Sequence, residues 1–160
     1  MTGIVVVSGN PRAGSRTSAL AIAVGQAIAG RLGSPEPTVI EVGELGPGLL
    51  TPGDQPTKEA VAALTEAQLL VVATPTYKGS YTGVLKVLLD QLGPNALAGK
   101  LAVPVVTAGV APQATAAEAL LRQLLVELGG ITVRPGLPVV EADLSETPAI
   151  AQKYAAAVDW

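Results

Sequence analysis

Short runs of β-branched and aliphatic residues alternate along this chain with longer segments rich in Ala and Leu, and the alternation occurs five times. The runs are apolar at nearly every position rather than at every second one. Such runs read as strands buried on both faces, the condition of parallel strands covered by helices. The pattern predicts strands over residues 4–8, 38–42, 69–74, 101–107 and 137–141, and helices over 17–32, 57–67, 83–92, 115–128 and 148–158.

Five β-α units in 160 residues imply one α/β domain spanning residues 1–160. The expected architecture is a flavodoxin-like, doubly wound, five-stranded parallel sheet of order 2-1-3-4-5 with helices on both faces. In the fourth helix, Leu120, Leu124 and Leu128 form a stripe with Leu121 and Leu125 beside it, so one face is expected in the core. The third helix is apolar around more than one face, with Val84, Leu85, Val87, Leu88, Leu89 and Leu92, and is expected to be deeply buried or to lie in a subunit interface. Residues 43–56 carry four glycines and three prolines and are expected to form an irregular surface loop. Pro104 falls inside the fourth strand, where it cannot donate to the ladder, so a bulge or an unpaired position is expected there.

The composition removes whole classes of chemistry. With neither Cys nor His there is no disulfide, thiolate nucleophile, Cys/His metal site, Ser-His-Asp triad or imidazole switch. Chemistry must therefore run on a cofactor or on oxygen and amine groups. The ten basic residues are dispersed and the net charge is −3, which argues against nucleic acid as a partner. The longest apolar stretches fall far short of the roughly 20 residues of a membrane helix. The opening residues have no charged leader ahead of an apolar run, so a soluble cytoplasmic protein is expected.

Ser8-Gly9-Asn10-Pro11-Arg12-Ala13-Gly14-Ser15-Arg16-Thr17-Ser18 follows the first strand and opens the first helix. A helix amino terminus offers free N–H groups and partial positive charge, and the hydroxyls of Ser15, Thr17 and Ser18 add donors, so a phosphate fits. A triphosphate loop would carry Lys and then Ser or Thr after Gly14, where Ser15-Arg16 stands. The third strand ends in Val71-Val72-Ala73-Thr74 and supplies no Asp for a nucleotide-bound magnesium. A dinucleotide fingerprint would carry Gly where Pro11 stands. A terminal phosphate monoester is favoured, against the plainer reading that the cluster only caps the helix.

Aromatic residues are scarce, three Tyr and one Trp, yet Tyr77 and Tyr81 both fall in the loop Thr74-Pro75-Thr76-Tyr77-Lys78-Gly79-Ser80-Tyr81-Thr82-Gly83 after the third strand. Tyrosines at that edge can flank a flat heterocycle, or they can simply cover the loop. Thr107-Ala108-Gly109-Val110, after the fourth strand, leaves room for a ring and can offer backbone N–H groups. Together the three loops describe one site, with phosphate at the first and a ring against the other two.

The blocks Gly9-Asn10-Pro11-Arg12-Ala13-Gly14-Ser15-Arg16-Thr17 and Ala73-Thr74-Pro75-Thr76-Tyr77-Lys78-Gly79-Ser80-Tyr81-Thr82-Gly83-Val84-Leu85-Lys86 resemble NAD(P)H-dependent FMN reductases of the flavodoxin-like kind. The resemblance is greatest to the reductase partners of two-component alkanesulfonate-type monooxygenases. It continues through Leu89-Asp90 to Leu97-Ala98-Gly99-Lys100 and covers most of residues 3–130. It implies hydride transfer from NADPH or NADH to FMN and delivery of reduced flavin to a monooxygenase. It also implies FMN phosphate contacts at Arg12, Ser15 and Thr17, with Asn10 where relatives usually carry Ser. The ring-binding turn corresponds to Pro75, Thr76, Tyr77 and Lys78, and the small-residue loop to Thr107, Ala108 and Gly109. No side chain is expected to act as acid or base, because the flavin carries the hard step. A homodimer, or a tetramer made of dimers, is implied as well.

Three departures accompany the resemblance. Gln113 stands where such reductases often carry His, Glu118-Ala119-Leu120 stands where close relatives place a Tyr, and the chain stops at Trp160, short of a longer family tail. The missing helical Tyr leaves open whether FMN is a passing substrate or a resident group serving a quinone or azo-type acceptor. A rival reading is a flavodoxin-like electron carrier without a nicotinamide site. Carriers of that kind usually surround the ring with acidic, aromatic loops, whereas Arg12, Arg16 and Lys78 stand in the loops of this chain and favour the reductase.

Overall fold

The computed structural model describes residues 3–160. Its centre is a parallel sheet of β1 (Ile4–Ser8), β2 (Thr38–Glu41), β3 (Leu69–Pro75), β4 (Leu101–Ala108), β5 (Ile131–Thr132) and β6 (Leu137–Val140). The strand order is β2-β1-β3-β4-β5, and β6 also pairs with β4. Helices α1 (Arg16–Leu32), α2 (Val42–Leu45), α3 (Gln55–Glu66), α4 (Gly83–Leu89), α5 (Ala111–Glu127) and α6 (Thr147–Ala157) connect and cover the strands.

Successive strand residues point to opposite faces, so a continuous apolar run feeds two cores at once. Ile4, Val6, Leu69, Val71, Val103 and Val105 meet Leu20, Val24 and Ile28 of α1 and Ala151, Tyr154 and Ala155 of α6. On the other face, Val5, Val7, Leu70, Val72 and Val106 meet Leu64 of α3, Leu85 and Leu88 of α4 and Leu121 and Leu125 of α5. The doubly wound architecture follows from the burial of both faces.

Four local expectations need correction. Residues 43–56 are not irregular throughout: α2 and a 3-10 turn over Gly46–Leu50 occupy most of the segment, because Val42 and Leu49 fold onto the second core. The helix that follows begins at Gln55, with a proline in its first turn and Asp54 as its cap. The α5 stripe has a different phase, with Ala114, Ala117, Leu121 and Leu125 buried and Leu120 42% exposed. The third helix stops at Leu89, since Gln91 and Leu92 turn back in tight hydrogen bonds before Gly93-Pro94. Its Leu85, Leu88 and Leu89 are fully buried, while Val84 and Val87 are half-buried.

The far edge of the sheet is filled by two short strands instead of one. β5 pairs with Leu101 and Ala102, and β6 with Val105 to Ala108. Pro104 keeps regular register with Val72 of β3, so no bulge forms on that side. Val133 N–H donates to the Ala102 carbonyl at 2.9 Å. Pro104, two residues on, turns its donor-less nitrogen toward the same edge, at the break between β5 and β6. The unpaired position expected for it is supplied by that break.

Candidate functional site

The carboxyl ends of β1, β3 and β4 lie side by side, and the chain leaves β1 and β3 in opposite directions across the sheet, the crevice where such sheets hold ligands. The loop after β1 starts with Gly9, whose N–H donates to the Ala73 carbonyl at 2.8 Å. A Cβ there would lie 2.8 Å from the Leu85 Cβ, so the close approach of loop and α4 requires glycine. Asn10 is buried, and its Oδ1 accepts the Arg12 N–H at 2.9 Å in a local side-chain turn. Ser15 caps α1 by accepting the Ser18 N–H at 3.1 Å.

Capping consumes only part of the helix terminus. Ser18 N–H goes to the Ser15 hydroxyl and Ala19 N–H to the Ser15 carbonyl. Among the described residues, the N–H groups of Arg16 and Thr17 have no acceptor, which leaves a pair of oriented donors.

The three loops are tied together by threonines. Thr17 Oγ1 lies 2.8 Å from Thr107 Oγ1, and Thr76 Oγ1 donates to the Thr107 carbonyl at 2.9 Å. Thr82, the cap of α4, donates to the Gly9 carbonyl at 2.6 Å, and Thr74 Oγ1 accepts the Thr82 N–H at 3.1 Å. Between Tyr77 and Ser80 two backbone hydrogen bonds close a tight turn, with Lys78 at φ 53° and Gly79 at φ 83°. Positive φ at both central positions is the geometry of a two-residue hairpin turn, and it places Lys78 at the exposed tip.

A cleft of about 130 Å³ opens between these loops, walled by Asn10, Arg12, Ser15, Thr17, Pro75, Tyr77 and Thr107. Seven of the residues expected from the sequence therefore converge. Thr76 is spent on the Thr107 carbonyl, Ala108 is buried at the end of β4, and Lys78 and Gly109 stand at exposed loop positions outside the cleft wall. The cleft also includes Arg16, Glu141 and Leu144. Arg16 was legible as part of the first loop. Glu141 and Leu144 come from a 3-10 turn over Glu141–Glu146 that follows directly on β6, and no local signal marks them. Arg16 and Glu141 lie 3.9 Å apart, both more than half exposed, an ion pair of small energetic value. A larger cleft of about 440 Å³, lined by Leu49, Asp54, Lys58, Val87 and Gln91 among others, shares no residue with the three loops.

Free helix-terminal amides, hydroxyls and two guanidinium groups beside a half-exposed tyrosine, at the switch point of a 2-1-3-4-5 parallel sheet, define a flavodoxin-like α/β protein with a site suited to a phosphorylated ring. A family model described as NADPH-dependent FMN reductase matches residues 2–144, and the chain belongs to that family. It is 32% identical over 148 residues to the NADH-dependent FMN reductase SfnE of Pseudomonas putida, covering 89% of this chain and 79% of the relative. It is 35% identical over 148 residues to the FMN reductase (NADPH) of Pseudomonas aeruginosa, covering 88% of this chain and 77% of the relative. The apo crystal structure of an NADH:FMN oxidoreductase (EMOB) superimposes with a TM-score of 0.83 at 33% identity, covering 99% of this chain and 91% of that one.

The donor set and the size of the cleft fit the phosphate end of FMN. A phosphate monoester matches the Arg16 and Thr17 amides with Arg12 and the Ser15 hydroxyl, and the Pro75–Tyr77 wall leaves an apolar and aromatic edge for a ring.

Proposed function

We propose that this chain transfers hydride from NADPH or NADH to FMN, with the FMN phosphate in the cleft at the β1–β3 switch point and the ring lying over the loops after β3 and β4. The observation that carries the reading is the convergence of Arg12, Ser15, Arg16 and Thr17 with Tyr77 in one cleft. Arg12, the Ser15 hydroxyl and the free amides of Arg16 and Thr17 would hold the phosphate. Pro75 and Tyr77 would orient the ring, and the small residues Thr107, Ala108 and Gly109 would leave space beside it. The Thr17–Thr107 hydroxyl pair fixes the distance between the first and third loops, so that phosphate and ring are held in one geometry. When bound, FMN supplies the redox centre that accepts the hydride.

The reduced flavin would feed a flavin-dependent monooxygenase, as the resemblance implies, and cytoplasmic nicotinamide pools would supply the donor. A homodimer or tetramer is supported by the half-buried Val84 and Val87 of α4 and the exposed Leu120 of α5, apolar groups that a partner copy would cover. The test is oxidation of NADPH and of NADH by flavin-stripped protein as FMN is titrated. Turnover that rises beyond one equivalent of FMN and then saturates is the expected result. A plateau at one equivalent would mean a resident FMN serving another acceptor, and FMN binding without oxidation would make the protein a carrier.

A further inference from the structure

The loop assigned above to phosphate already holds an anion behind it. Glu41 ends β2, and its carboxylate accepts the Gly14 N–H at 2.6 Å through Oε2 and the Ser18 hydroxyl through Oε1. The Ser18 hydroxyl in turn lies 2.6 Å from the buried Ser8 hydroxyl and 3.1 Å from that of the Ser15 cap. One carboxylate thus ties the glycine turn of the loop, where Gly14 has φ 70°, to the first turn of α1 and the end of β1. The following residues press on the same loop, since a Cβ on Gly43 would lie 2.3 Å from the Pro11 carbonyl oxygen.

A carboxylate this close to a phosphate loop could act in two ways. As a competitor it would sit in the cleft and be expelled by the ligand. As a brace it would sit behind the loop and remain. Arg12, Ser15, Arg16 and Thr17 wall the cleft, whereas Glu41 and Gly14 stand outside it. The donors that Glu41 takes, Gly14 N–H and Ser18 hydroxyl, differ from the Arg16 and Thr17 amides left without an acceptor.

We infer that Glu41 is a positioning residue: it holds the Gly14–Ser18 segment in the shape that turns the Arg16 and Thr17 amides toward a phosphate monoester. This rests on the FMN reading above. The variants are Glu41→Ala and Glu41→Gln, and the readouts are the dissociation constants for FMN and for riboflavin, which lacks the phosphate, together with amide exchange of Gly14 in the ligand-free proteins. Losing the two anchoring hydrogen bonds should weaken FMN binding by about tenfold in Glu41→Ala while riboflavin binding holds. Exchange at Gly14 should accelerate in that variant. Glu41→Gln keeps an oxygen for Gly14 and should restore most of the FMN preference. A Glu41→Ala protein that keeps the preference for FMN, binds FMN more tightly, or loses riboflavin equally overturns the inference. A parent protein that binds FMN no better than riboflavin overturns instead the phosphate reading beneath it.

Discussion

The phosphate contacts proposed in the first loop are single polar groups. Arg12 is the cation of the cleft without an ion-pair partner among the described residues, whereas Arg16 is paired with Glu141. A guanidinium on a phosphate makes charge-assisted hydrogen bonds worth about 1.5–3 kcal/mol. Arg12→Ala should therefore weaken FMN binding by roughly 10- to 100-fold and leave riboflavin nearly unaffected, as isothermal titration of both flavins would reveal. Equal FMN affinity in parent and variant would remove Arg12 from the site. The segment is legible in the sequence, because residues 9–17 form one contiguous run of small, hydroxyl and basic residues leading into α1, and the phosphate contacts at Arg12, Ser15 and Thr17 are what the family resemblance implies. Glu41 is not legible there, since nothing around a Glu that ends an edge strand indicates that its carboxylate reaches across to Gly14 and Ser18.

At the scale of elements, strands were easier to read than helices. A buried parallel strand is apolar at every position, so its limits coincide with the limits of the run, and β1 spans the residues expected. In α5, by contrast, Leu120, Leu121, Leu124, Leu125 and Leu128 offer two adjacent stripes of equal hydrophobicity, and the pattern cannot choose the one that faces the sheet. Ala114 and Ala117 continue the line of Leu121 and Leu125, and their small size lets the helix approach β4 and the second core. Leu121→Ala should cost about 2–5 kcal/mol in urea unfolding. Leu120→Ala, at a site 42% exposed, should cost less than about 1 kcal/mol in the isolated protomer. If the loss at Leu120 instead grows with protein concentration, Leu120 lies in a contact between copies.

At the scale of the whole molecule, α6 closes the first core over residues far apart in the chain. The Tyr154 hydroxyl donates to the Pro135 carbonyl at 2.7 Å, and its ring meets the Trp160 ring edge-on at 6.1 Å. Burial pushes the Tyr154 phenol well above its ordinary value of 10.0, against a smaller lowering by Arg122, with Glu118 adding to the rise. The folded chain therefore keeps this proton where the unfolded chain releases it. The resulting stability is fully present below about pH 10 and is lost as pH rises further. Tyr154→Phe should flatten that alkaline decline, at a cost near 1 kcal/mol at neutral pH for the lost hydrogen bond. Chemical denaturation between pH 7 and 11 checks both, and an unchanged alkaline slope would mean other groups control it.

The chain's own pattern determined the layered parallel sheet and the three loops at its carboxyl edge, because burial on both faces and loop chemistry are written in contiguous residues, whereas the 2-1-3-4-5 order comes with the flavodoxin-like class as a whole. Only the tertiary structure decided which stripe of α5 faces inward, how two short strands share the edge beside Pro104, and which distant groups complete the cleft. Glu41 and Glu141 reach the first loop from β2 and from beyond β6, across sequence separations that no local periodicity encodes. Their placement is fixed by the packing of the two cores, which sets the position of every strand end relative to the others.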